Sequence, residues 1–159
     1  AGAGGRSSRM GQNKALMPLP NGRLMIEEII FRLAPLPDDL FLVADDQAPY
    51  TPLRLRIEPD RIRDTGALGG VYTAVVAAYN EYTLVVACDM PFVSPGVIRA
   101  LAACRSNCDV VACRLDSGEF ETMQAIYGKG CLTAMEESLR NKRLRIISFF
   151  DKTRVCPVN

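Results

Sequence analysis

TLVVACDMPFV, residues 83–93, is the stretch on which the reading of the fold turns. Leu84 through Cys88 form an unbroken run of apolar and small side chains, the length that a strand buried on both faces prefers. Continuous apolar character implies helices over each face, as in a parallel sheet. The run then stops at Asp89, followed by Met90 and Pro91. A carboxylate at the end of a buried strand costs free energy unless something uses its charge. A Mg²⁺ ion shared between Asp89 and substrate phosphates would supply that use. A turn hydrogen bond made just before a proline would account for the aspartate equally well.

Working outward, GGVYTAVVAAY (69–79) is small and apolar on nearly all sides and predicts a helix wedged against the sheet. VIRALAACR (97–105) has helical periodicity, with Ser94 as N-cap and Pro95 in the first turn. DVVACR (109–114) and MQAIYG (123–128) read as strands, and LTAMEESLR (132–140) as a helix. LRIISFF (144–150) fits a short helix or a strand. Toward the start, LMIEEIIFRLA (24–34) predicts an amphipathic helix ended by Pro35 and Pro37. LFLVA (40–44) and LRIEP (55–59) predict strands, the second more exposed, separated by a polar, proline-bearing loop over 45–52. The alternation predicts one domain over 1–159 with a three-layer α/β/α, Rossmann-like sandwich and a mostly parallel sheet. In such sheets ligands sit beyond the carboxyl ends of the strands, which puts the first loop and the Asp89 turn on one edge.

Composition bounds the chemistry. The chain has 159 residues, 48% hydrophobic and 23% charged, enough apolar material for a core. Nineteen Lys and Arg against eighteen Asp and Glu leave a charge of +1, which argues against a dedicated nucleic-acid binder. Aromatics are only 7% and tryptophan is absent, so stacking rings do not alternate with basic residues. Histidine is also absent, which excludes imidazole bases, imidazole metal ligands and a Ser-His-Asp triad. The six cysteines (Cys88, Cys104, Cys108, Cys113, Cys131 and Cys156) have no C-x2-C spacing, and several lie in apolar runs. Reduced, mostly buried thiols are expected. With no bilayer-length apolar run and no signal-peptide pattern, a cytoplasmic location is expected.

Two further segments carry chemistry. AGAGGRSSRMGQNK (1–14) combines Gly2, Gly4, Gly5 and Gly11 with Arg6, Ser7, Ser8, Arg9 and Lys14, and contains no acid. Glycines let backbone N–H groups approach an anion while the cations neutralise it, so a phosphate cradle is one reading. A basic tail that merely contains glycines is the other. The order matches neither the Walker loop nor the dinucleotide fingerprint. In EPDRIRDTGALGG (58–70), Asp60 follows a strand, and Gly66, Gly69 and Gly70 leave room for a flat ring. The same glycines could instead serve tight helix–sheet packing. Two carboxylates, Asp60 and Asp89, plus a basic loop are what nucleotidyl transfer asks for.

AGGRSSRMGQNKAL (3–16), PDRIRDTGALGG (59–70) and VVACDMPFV (85–93), with EFETMQAIY (119–127) and the following LTAMEESLR, resemble the molybdenum cofactor guanylyltransferases, the MobA proteins. The resemblance covers nearly the whole chain. It implies transfer of GMP from GTP to molybdopterin, with release of pyrophosphate and Mg²⁺ as cofactor. The nucleotide loop would be Ala3, Gly4, Gly5, Arg6, Ser7, Ser8, Arg9 and Lys14, with Arg9 and Lys14 on the phosphates. Asp60 would sit near the nucleoside, Gly66, Leu68, Gly69 and Gly70 would face guanine, and Asp89 would hold the metal. Arg9, Lys14 and Asp89 are the implied catalytic set. Both partners would be small molecules, a nucleotide and a pterin phosphate. A monomer is expected, as is transient contact with molybdenum cofactor insertion proteins.

The sequence departs from the family pattern at several points. Ala67 replaces the proline of GPLxG, Thr122–Met123 replaces a proline–leucine pair, and Gln124 stands where histidine is common. Those changes weaken the acceptor assignment more than the donor assignment. The family's first strand and its closing asparagine-rich segment are expected to be cut off or disordered rather than lost. The alternatives are a relative using CTP, or one with another phosphorylated acceptor such as a sugar phosphate or cobinamide phosphate. A non-catalytic nucleotide-binding regulator is the alternative from another class.

Overall fold

The computed structural model describes residues 13–159. Three-residue β1 (Phe41–Val43) follows α1 (Met25–Leu33), and β2 (Arg56–Glu58) precedes α2 (Gly66–Ala77). Then come β3 (Tyr82–Val86), α3 (Pro95–Ala103), β4 (Val110–Arg114), β5 (Phe120–Gly128), α4 (Leu132–Arg140) and β6 (Val155–Val158). Local chemistry sets the helix ends. The Glu27 carboxylate accepts from the Leu24 amide at 2.8 Å and opens α1. Ser94 accepts from the Val97 amide at α3, whose first residue is Pro95. The stretch left open, 144–150, forms a 3₁₀ turn over Ile146–Lys152.

Strand side chains alternate between two helical layers. Phe41, Val43, Val85, Val110, Ala112, Ala125 and Tyr127 pack with Leu68, Val71 and Val75 of α2 and with Met135 of α4. On the other face Leu42 meets Ile26 of α1, and Val86 meets Ile29, Leu33 and Ile98. Val111 and Ile126 meet Leu101 of α3. The three-layer α/β/α arrangement is therefore as expected.

The mostly parallel sheet is not. The main sheet has the order β3-β5-β4-β6, and β5 runs antiparallel to both of its neighbours. Among the described residues only β4 with β6, and β1 with β2 in a separate two-stranded sheet, pair in parallel. The cause is the link between β4 and β5. The Gly118 amide donates to the Leu115 carbonyl and the Leu115 amide to the Glu119 carbonyl, both at 2.8 Å, with Gly118 at φ +86°. So short a turn can only return the chain antiparallel, because a parallel return needs a crossover of roughly a dozen residues or more. Burial of β3 on both faces was read correctly. It reports coverage by helices, not the direction of the neighbouring strand.

Between β1 and β3 lies a cavity of about 420 Å³, lined at one end of both strands by Leu40, Phe41, Tyr82, Thr83 and Leu84. The buried Thr83 hydroxyl in its wall has no hydrogen-bond partner among the described residues. At the opposite end Ala44 and Cys88, each just past its strand, share one apolar cluster, so β1 and β3 run the same way. The expectation of reduced cysteines also needs correction: Cys108 and Cys156 form a disulfide with Cα atoms 5.9 Å apart, and Cys104 is exposed. Parallel pairing of β6 with β4 brings the two thiols together across 48 residues of sequence. Among the described residues no helix is long and apolar enough to cross a membrane.

Candidate active site

The carboxyl ends of β1, β2 and β3 hold the described part of the site. Lys14 opens a 3₁₀ turn, Lys14–Leu16, capped by Asn13, whose side chain accepts from the Ala15 amide at 3.2 Å. Ala15 is fully buried against Ile26, Leu42, Ala44 and Tyr50. That anchor leaves Lys14 pointing outward, with its side chain about half exposed.

Asp89 stands three residues beyond β3. The Ala87 amide donates to the Met123 carbonyl at 2.9 Å, which extends the pairing, and the Met90 amide turns back onto the Ala87 carbonyl at 3.2 Å. Asp89 occupies that turn. Its Oδ2 lies 3.8 Å from Lys14 Nζ, and among the described residues its carboxylate makes no hydrogen bond. The geometry thus gives no support to the turn-bond reading of this residue. Among the described residues no group of three His, Cys, Asp or Glu could hold a metal ion. A lone exposed carboxylate suits Mg²⁺, which typically takes one or two carboxylates and completes its shell with water and substrate phosphates.

Asp60 lies past β2, on the far side of β1 from β3. Its amide donates to Asp45 Oδ1 at 3.0 Å, and the next amide, of Arg61, donates to Thr73 Oγ1 at 3.0 Å. Asp60 Oδ1 is buried and has no hydrogen-bond partner among the described residues. Burial, and after it the negative charge of Asp45, pushes the Asp60 carboxyl above its ordinary range. An acceptor oxygen withdrawn from water and left unpaired is a place for a ligand N–H or O–H.

The four residues grouped with Asp60 do different things. Gly66 opens α2 at φ +59°, a left-handed conformation that glycine adopts without strain. A Cβ at Gly69 would collide with the Thr65 side chain, so its missing side chain serves helix packing. Gly70 faces Asp60, and a Cβ there would sit 3.9 Å from Oδ1. Leu68 is fully buried in the core, which leaves only its backbone for a ligand. Ala3, Gly4, Gly5, Arg6, Ser7, Ser8 and Arg9 lie outside the described residues.

Two participants escaped the reading of the sequence. The stretch taken as a polar loop after β1 contains a 3₁₀ turn, Ala48–Leu53, with Tyr50 buried and hydrogen-bonded to Asn13. A tyrosine between two prolines in an otherwise polar segment was the available signal. Asp45, which bonds the Asp60 backbone, carried none.

The MobA-like NTP transferase domain matches residues 3–153. A probable molybdenum cofactor guanylyltransferase of Carboxydothermus hydrogenoformans is 36% identical over 157 residues, covering 99% of this chain and 78% of the relative. Its counterpart in Pelotomaculum thermopropionicum is 38% identical, covering 96% of this chain and 74% of that protein. The crystal structure of molybdopterin-guanine dinucleotide biosynthesis protein A from Archaeoglobus fulgidus superposes with a TM-score of 0.82 at 22% identity, over 99% of this chain and 80% of that one. With the family match running over residues 3–153 and a relative 36% identical over almost the whole chain, this chain belongs to the MobA-like NTP transferase domain family.

Proposed function

We propose that this protein transfers the guanylyl group of GTP to the terminal phosphate of molybdopterin and releases pyrophosphate. The observation that carries the reading is the meeting of Lys14 and Asp89, 3.8 Å apart, at the carboxyl edge of β3. A cation for the triphosphate and a carboxylate that could hold Mg²⁺ lie side by side there. The naming of both relatives above as probable guanylyltransferases supports guanine as the base.

In the reaction an oxygen of the acceptor phosphate bonds to the α-phosphorus, and the bond from that phosphorus to the bridging oxygen breaks. The electron pair leaves with pyrophosphate. The attacking phosphate is already ionised at neutral pH, so no protein base is needed, consistent with a chain that has no histidine. Lys14 neutralises charge on the departing phosphates. Asp89 would hold Mg²⁺, which when bound offsets the charge that builds on the triphosphate. The unpaired Asp60 oxygen accepts from the nucleoside. All of these groups come from one chain, so a monomer suffices.

Calorimetric titration with GTP, CTP, ATP and UTP, with and without Mg²⁺, tests the donor half. GTP is expected to bind selectively, and Lys14→Ala to weaken it. Pyrophosphate release on adding molybdopterin tests the acceptor half. Preference for CTP, or GTP binding without pyrophosphate release, would overturn the assignment.

A further inference from the structure

We infer that Tyr50 is a positioning residue that sets Lys14 against Asp89 through Asn13. The inference rests on Lys14 being a donor-site phosphate ligand.

The carrier of Lys14 is weak by itself. A three-residue 3₁₀ turn has poor hydrogen-bond geometry and little internal cohesion. It is closed by the Leu16 amide donating to the Asn13 carbonyl at 3.0 Å and the Met17 amide to the Lys14 carbonyl at 3.1 Å. Its direction depends on what holds Asn13. Asn13 is exposed, but its Nδ2 donates to the Tyr50 hydroxyl at 2.8 Å, and that hydroxyl lies 3.2 Å from Asn13 Oδ1. The same Oδ1 accepts from the Ala15 amide and caps the turn. The path is therefore covalent or hydrogen-bonded at each step, from the Tyr50 phenol to the Asn13 amide to the turn that carries Lys14.

Tyr50 also reaches the other half of the pair. Its ring is only 3% exposed, in the cluster of Ala15, Ile26, Leu42 and Ala44, against which Cys88 packs. Cys88 directly precedes Asp89. One buried ring thus supports both the segment that bears the cation and the segment that bears the carboxylate, while its hydroxyl meets Asn13, the neighbour of Lys14. Phenylalanine would fill the same core volume, and the hydroxyl is what connects that core to the site.

Tyr50→Phe isolates that connection, because the ring and its packing stay. Losing one part-buried hydrogen bond at the cap of the turn is expected to raise the Kd for GTP with Mg²⁺ about three- to tenfold. Binding stoichiometry should stay at one, and the melting temperature should hold within about 2 °C for a loss that does not reach the core. Asn13→Ala, at an exposed position, also removes the cap on the Ala15 amide and should cost at least as much. Asn13→Asp keeps an oxygen for both the Ala15 amide and the phenol, and should recover most of the affinity. The deciding arm is Tyr50→Phe in a Lys14→Ala background, where it should change Kd by less than about 1.5-fold, since residues acting through one contact are not additive. An undiminished cost in that background, or no cost in wild type while Lys14→Ala weakens binding, overturns the role of Tyr50 and leaves the donor site standing. If Lys14→Ala itself leaves GTP binding unchanged, the donor-site reading fails, and this role fails with it.

Discussion

Asp89→Asn separates the functional account of the Lys14–Asp89 pair from a structural one. At 3.8 Å the two charges attract by about 1 kcal/mol in water. Both side chains are about half exposed, 51% and 46%, so ordering two mobile groups offsets much of that attraction. Exposed pairs of this kind contribute roughly 0.2–1 kcal/mol. For a chain of this size that is a fall of at most about 4 °C in melting temperature, to be followed by calorimetry or circular dichroism. The effect on nucleotide should be far larger and should depend on metal. With Mg²⁺, the affinity for GTP is expected to fall about tenfold or more, as for loss of a carboxylate ligand to a shared cation. Without Mg²⁺ the affinity should hold or rise slightly, because a negative charge beside the phosphates has gone and Lys14 is no longer engaged. Undiminished magnesium dependence in Asp89→Asn would refute the metal assignment. A fall in melting temperature well above 5 °C would show that Asp89 holds the turn after β3 rather than waiting for a ligand.

Two other perturbations have worked signs. The Cys108–Cys156 bridge spans 48 residues, for which loop-closure entropy suggests a stabilisation of about 4 kcal/mol. Urea unfolding with and without a dithiol should differ by about that amount, and unreduced denatured protein should titrate four thiols rather than all six. Six reactive thiols before reduction would remove the bridge. For Asp60, burial and Asp45 raise the carboxyl in the folded state above its unfolded value, so the folded protein binds this proton more tightly. Its contribution to stability is then present at low pH and is lost as pH rises through the folded-state value. Asp60→Asn should accordingly be more stable than wild type at pH 7, with the gain shrinking toward pH 4, while nucleoside affinity falls by roughly tenfold as a neutral amide oxygen replaces the charged acceptor. A stability difference that does not change with pH would contradict the assignment of charge to this buried group.

Most of the elements were legible because their signals are local. The helix read over 132–140 is α4 to the residue, and Ser94 caps α3 as its position before Pro95 implied. Lys14 and Asp89 stood out because one is a cation in an acid-free stretch and the other ends an apolar run. Their pairing could not be read, since 75 residues separate them and the fold alone closes that distance. Tyr50 was missed for a related reason: its role is a hydrogen bond to a residue 37 positions away. β6 was missed because VCPV contains a proline and too few residues to show a period.

By itself the amino-acid order determined the three-layer class, the bounds of α4, the Ser94 cap of α3 and the place of Asp89 just past a buried strand. Each of these depends on periodicity, caps or charge within a few residues. Tertiary structure alone decided the sheet's order and direction, the Cys108–Cys156 bridge, the isolation of Asp60 Oδ1 and the brace from Tyr50 to Lys14. The hairpin turn that reverses β5 is local, but which strands then flank β5 is settled only when the helices pack. Burial that leaves one oxygen unpaired, or brings two thiols within bonding reach, is likewise a property of the assembled layers.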